Sequence, residues 1–230
     1  MTVRLARSIV NQMRSFIWIS VAVFIAVVSR PTLASAQTIG VKSSALAVLT
    51  AAERDRFLDA HNRARKEVGV NPVEWSEELG KEALESLREQ KEALIDAAKE
   101  HWKEGRAVLP AHRADNQYGE NVAGWVGGRN GSAEFAVELW LGEKRAFDKL
   151  NASSPYRVGD EEGKTETDAL GNERPLIVGH YTAIVWRATT HIGAAKLTFD
   201  LVDDQGTTRS YAAIVCDYNP PGNRRGEKPY

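Results

Sequence analysis

Among 230 residues there is one cysteine, Cys216, so no internal disulfide can form and stability must come from packing and hydrogen bonding. Ala213-Ile214-Val215-Cys216 reads as a buried strand, a setting where a thiol behaves as a small hydrophobe and not as a nucleophile. The common hydrolase signatures are also missing: there is no His-Glu-x-x-His pair and no Gly-x-Ser-x-Gly. Beyond residue 36 no apolar run approaches membrane length, so no stable membrane insertion is expected of that part. Positive charge is not in surplus either. Residues 1–36 hold four arginines and no acid, leaving 26 basic and 31 acidic side chains in the remainder, a net charge of −5. That balance argues against an electrostatic nucleic-acid binder.

What the chain does have begins with a targeting segment. Arg4, Arg7 and Arg14 precede an almost unbroken apolar run from Phe16 to Val28, and Ala34-Ser35-Ala36 supplies small residues for cleavage. Thirteen residues are short of the roughly twenty that span a bilayer. The pattern predicts a secretory signal over 1–36, a mature chain from near Gln37, and a secreted protein, extracellular or periplasmic.

Residues 37–48 read as a linker, 49–223 as one domain and 224–230 as a polar tail. Thr50-Ala51-Ala52-Glu53 is a capping-box pattern opening a helix with Phe57, Leu58, His61, Ala64 and Val68 inward. Ser76 caps a second, long helix running to about Lys103, and Ser132 a third that carries Trp140, Glu143 and Phe147 on its inner side. Asn151 to Arg174 is expected to be a surface loop. Alternation predicts strands over 180–187, 194–201 and 209–218, the last two joined by a turn at Asp203-Asp204-Gln205-Gly206. Helices first and an antiparallel sheet afterwards is an α+β order. Asn130-Gly131-Ser132 and Asn151-Ala152-Ser153 are glycosylation sequons if the source is eukaryotic.

His180 heads the segment Gly179-His180-Tyr181-Thr182-Ala183-Ile184-Val185-Trp186. By itself it is as compatible with core packing as with chemistry. Three further motifs answer it: His61-Asn62-Arg63-Ala64-Arg65, Tyr118-Gly119-Glu120-Asn121, and Cys216-Asp217-Tyr218-Asn219-Pro220-Pro221-Gly222-Asn223. In this order the four resemble the CAP superfamily of cysteine-rich secretory proteins, antigen 5 and plant pathogenesis-related group-one proteins, over roughly residues 50–230. The resemblance implies a three-layer α-β-α sandwich with a central antiparallel sheet and a cleft. In that cleft His112, Glu120, Glu143 and His180 form a tetrad, while His61 is a structural helix residue. It also implies that the disulfide partner usual for Cys216 is replaced by Ala194.

Two neutral imidazoles, His112 and His180, are acceptable ligands for Zn²⁺ or another divalent metal, with the glutamates holding waters. A metal-free network in which each glutamate stabilises a protonated histidine uses the same residues. The leading expectation is a secreted binding protein for a divalent metal and a small-molecule, lipid or protein ligand. The alternatives are a metal-dependent hydrolase, a sterol or lipid carrier, and a C-terminal peptide, 220–230, released as a signal. No residue is assigned a catalytic role.

Overall fold

A computed structural model describes residues 37–127, 132–167 and 171–230; the expected secretory signal and the sequon at Asn130 lie outside them. The elements are β1 (Ile39–Val48), α1 (Ala51–Glu67), β2 (Glu74–Trp75), α2 (Glu77–Glu100), β3 (Gly119–Val126), α3 (Ala133–Leu141), α4 (Lys144–Ser153), β4 (Thr165–Thr167), β5 (Glu173–Pro175), α5 (Gly179–Ile184), β6 (His191–Asp203) and β7 (Thr208–Asn219). The main sheet has the order β1-β6-β7-β3, with β2 running parallel beside β6 and the other pairs antiparallel. β6 and β7 form the expected hairpin. Its turn is held by Asp203, whose carboxylate accepts hydrogen bonds from the backbone N–H groups of Gln205 (3.0 Å) and Thr207 (2.7 Å).

Strand alternation sorts β7 into two cores. Ala212, Ile214, Cys216 and Tyr218 face α1, α3, α4 and α5, where they meet Phe57, Trp140, Phe147 and Ile184. Tyr211, Ala213 and Val215 face the opposite way, toward Ala83, Leu87, Leu94 and Ile95 of α2. Helices therefore cover both faces of the sheet, and the expected α-β-α sandwich is present. Gly193 on β6 lets α2 approach closely, because a Cβ there would sit 2.2 Å from the backbone nitrogen of Gly80. Two of the three predicted caps hold: the Glu53 carboxylate accepts from the Thr50 N–H (3.0 Å) and hydroxyl (2.8 Å), and Ser76 accepts from the Leu79 N–H at 3.3 Å, whereas Ser132 stands at the N-cap position of α3 without a side-chain capping hydrogen bond. No described helix is long and apolar enough to cross a membrane.

Four expectations change. The linker expected over 37–48 is instead strand β1, paired with β6 from Ile39↔Asp203 to Val48↔Ala195. Its Lys42, Ser43 and Ser44 disguise it because an edge strand with solvent on one side needs few apolar residues. The strand expected over 180–187 is the short helix α5. Tyr181 through Trp186 are all buried, so the alternation in the sequence does not mark a half-exposed strand. The third helix breaks at Gly142 into α3 and α4, and the loop expected over 151–174 contains the end of α4 and strand β4.

The tail at 224–230 is docked. Val158 and Gly226–Glu227 exchange backbone hydrogen bonds, and the Arg187 N–H donates to the Pro229 carbonyl at 2.7 Å. Tyr230 packs against the Phe147 ring at 5.8 Å.

Candidate functional site

A buried polar chain links the four motifs. His61 on α1 is fully buried and donates from Nδ1 to the Phe57 carbonyl at 2.8 Å. A carbonyl can only accept, so Nε2 is the unprotonated nitrogen and accepts from the Tyr218 hydroxyl at 2.9 Å. Burial drives the His61 pKa down to about 4, which keeps the ring neutral. Asn121 on β3 donates to the Tyr218 oxygen and to the His180 carbonyl, both at 3.0 Å. His61 therefore has the structural role expected of it. Arg65, also fully buried, gathers the carbonyls of Asn71, Ile184, Trp186 and Thr189 at 2.7–2.9 Å and fixes the end of α5.

This scaffold positions His180 at the start of α5. Glu143, at the break between α3 and α4, accepts from His180 Nδ1 at 2.5 Å and from the backbone N–H groups of His180 (2.9 Å) and Tyr181 (3.1 Å). One carboxylate thus orients the imidazole and satisfies the helix N-terminus, which is why this segment is helical. The indole of Trp140 stacks on the His180 ring at 6.2 Å and 14°, and is itself anchored by donating to the Val122 carbonyl at 3.0 Å.

His112 belongs to the loop between α2 and β3, where it donates from Nδ1 to Glu120 at 2.9 Å. Its side chain is 57% exposed, whereas that of Glu120 is 5% exposed. The hydrogen bond to Glu120 raises the His112 pKa above its ordinary value, against the opposing effect of burial. Burial alone would raise the Glu120 pKa, but hydrogen bonds from His112 and Arg113 outweigh it and hold the carboxyl below the usual range.

Arg113 was not anticipated from the sequence. Its Nε donates to Glu120 at 2.9 Å and its Nη2 to Asp217, while its backbone N–H also reaches Glu120 at 3.2 Å. Asp217 is fully buried, and its second oxygen, Oδ2, has no hydrogen-bond partner. Burial pushes its pKa up to about 6 against the pull of Arg113. The clue was available: a carboxylate between Cys216 and Tyr218 in a strand read as buried requires a cation nearby.

The structure therefore forms two imidazole–carboxylate pairs from the four expected site residues, His112 with Glu120 and His180 with Glu143. In both, the carboxylate takes Nδ1–H, which leaves Nε2 as the basic nitrogen. Among the described residues no group of three or more His, Cys, Asp or Glu side chains is arranged to hold a metal ion. His101 and His191 lie elsewhere, next to Glu104 and Glu74.

Comparison with known proteins identifies the family. The family model for CAP, the cysteine-rich secretory protein family, matches residues 58–218. Pathogenesis-related protein 1A of Nicotiana tabacum is 32% identical over 76% of this chain and 79% of its own length. Pathogenesis-related protein 1 of Arabidopsis thaliana is 31% identical over 76% of this chain and 80% of its own. The crystal structure of MpPR-1i aligns with a TM-score of 0.42 and 17% identity, covering 75% of this chain and 90% of that one. The chain belongs to the CAP family, and its relatives include plant pathogenesis-related proteins.

Proposed function

We propose that this protein is a secreted binding module whose two oriented imidazoles, His112 and His180, take a divalent metal such as Zn²⁺, with a small-molecule, lipid or protein ligand in the adjoining cleft. The observation that carries this is the matched fixing of both rings through Nδ1 by a glutamate. Metal-bound histidines are commonly oriented this way, and the carboxylate makes the other ring nitrogen a better donor. An ion taken by these two imidazoles would have its remaining positions on water, since no third His, Cys, Asp or Glu ligand is grouped with them among the described residues. The donor set does not suit a closed structural zinc site, which takes four protein ligands. When bound, such an ion supplies Lewis acidity and exchangeable coordination positions. The chain's own contribution is to set the tautomers and, at His180, to hold the ring against Trp140.

Protons compete with metal at His112. Its raised pKa means the protonated ring persists to higher pH than in a free histidine, so metal affinity falls as pH drops through that value. Calorimetric titration of the metal-free protein with Zn²⁺ tests the proposal. Wild type is expected to bind at least about tenfold more tightly than the His112→Ala/His180→Ala variant, a difference of about 1.4 kcal/mol. Equal affinities remove the metal from the function.

A further inference from the structure

A second surface is built between α4 and the β4–β5 hairpin. It is a cleft of about 1240 Å³, larger than the roughly 300–1,000 Å³ typical of small-molecule pockets. On the α4 wall, Arg145 and Lys149 form one row at helical spacing, and Ala146 and Leu150 form a second row beside it. On the hairpin wall, alternation puts Lys164, Glu166, Arg174 and Leu176 on one face. Ile177 follows at 55% exposed, and Leu139 of α3 is 43% exposed at the rim.

The charges in this lining do not cancel. Glu143 is committed to His180, and Glu166 pairs with Arg174 at 2.8 Å. The side chains of Arg145, Lys149 and Lys164 have no carboxylate partner among the described residues. The hairpin also has an open edge. Leu176 donates its N–H to the Lys164 carbonyl at 2.9 Å, so the alternating antiparallel pattern turns the N–H and C=O groups of Thr165 and Thr167 away from β5. Among the described residues β4 has no other strand neighbour. The corresponding outward position on β5 is Pro175, which has no N–H to offer.

We propose that this cleft binds an extended acidic peptide that adds to the open edge of β4. Alternate acidic side chains meet Arg145, Lys149 and Lys164, and the intervening apolar ones meet Leu150 and Ile177. Main-chain hydrogen bonds to a sheet edge supply affinity in such docking, and pockets for alternate side chains supply selectivity. An acyl chain suits the cleft less well, because the apolar residues lie in strips between cations and not in a continuous apolar tunnel.

The test is fluorescence anisotropy of the whole protein with a labelled alternating Glu-Val octapeptide. Saturable binding is expected, weakened about tenfold or more by Arg145→Glu/Lys149→Glu, by Lys164→Glu on the exposed hairpin, and by raising salt to about 0.5 M. Backbone N-methylation of alternate peptide residues, which keeps the charges but blocks edge pairing, is expected to weaken it similarly. A chelator leaves the peptide affinity unchanged, which separates this site from the metal proposal. Unaltered affinity in both charge-reversal variants, equal binding of a Lys-Val octapeptide, or binding of dodecyl phosphate without binding of the peptide overturns it.

Discussion

The two imidazole–carboxylate pairs use the same side chains in opposite surroundings. Glu143 is bound by one ring nitrogen and two backbone N–H groups, and its histidine is stacked on Trp140 and tied by its carbonyl to Asn121. Glu120 is the more buried of the two carboxylates, 5% exposed against 15%, yet its histidine points from a loop into solvent, and its second partner is Arg113, shared with the buried Asp217. The first pair is part of how the fold closes around α5. The second rests on the fold without holding it together. A shared motif role therefore does not imply a shared structural role.

The largest effect should separate the two glutamates. Glu143→Ala strands the N–H groups of His180 and Tyr181, and is expected to lower unfolding free energy by about 3 kcal/mol. Glu120→Ala leaves Arg113 paired with Asp217 and is expected to cost about half as much. Urea denaturation measures both, and equal losses would erase the contrast.

A smaller effect comes from pH. Asp217 has a folded pKa of about 6, above its unfolded value. The folded state therefore binds a proton that the unfolded state does not, and the contribution of Asp217 to stability improves as pH falls from about 7 to 4. Relative to Asp217→Asn, wild type should gain on the order of 1–2 kcal/mol over that range. A difference that stays constant with pH, followed by thermal melts, would show that Asp217 is ionised throughout. The smallest effect is expected for His112→Ala, within about 0.5 kcal/mol of wild type, because the ring is largely exposed. A loss above 1 kcal/mol would make the second pair as structural as the first.

Much of this was legible before the fold was known. The capping box at Thr50–Glu53, the Ser76 cap and the β6–β7 hairpin turn are local features, decided by residues within a few positions of one another. The four site residues were named through the family resemblance, and the structure sets them as two pairs, His112 with Glu120 and His180 with Glu143. Strand β1 and helix α5 were misread for a common reason: each takes its conformation from distant partners. β1 is a strand because β6 offers it hydrogen bonds, although its own residues are small and polar. α5 is a helix because Glu143 caps one end and Arg65 collects the carbonyls at the other.

By itself the sequence determined the α+β order of elements through periodicity and caps, and its four ordered motifs carried the family resemblance, which in turn implied the sandwich and the histidines and glutamates of the site. Tertiary structure alone decided which carboxylate holds which ring, how Arg113 came to bridge Glu120 and Asp217, and where the cations of α4 face the β4–β5 hairpin. The physical reason is distance along the chain. Asp217 lies 104 residues from Arg113, and His180 lies 37 from Glu143. Pairing over such separations is set by packing of the whole domain, which no local pattern encodes.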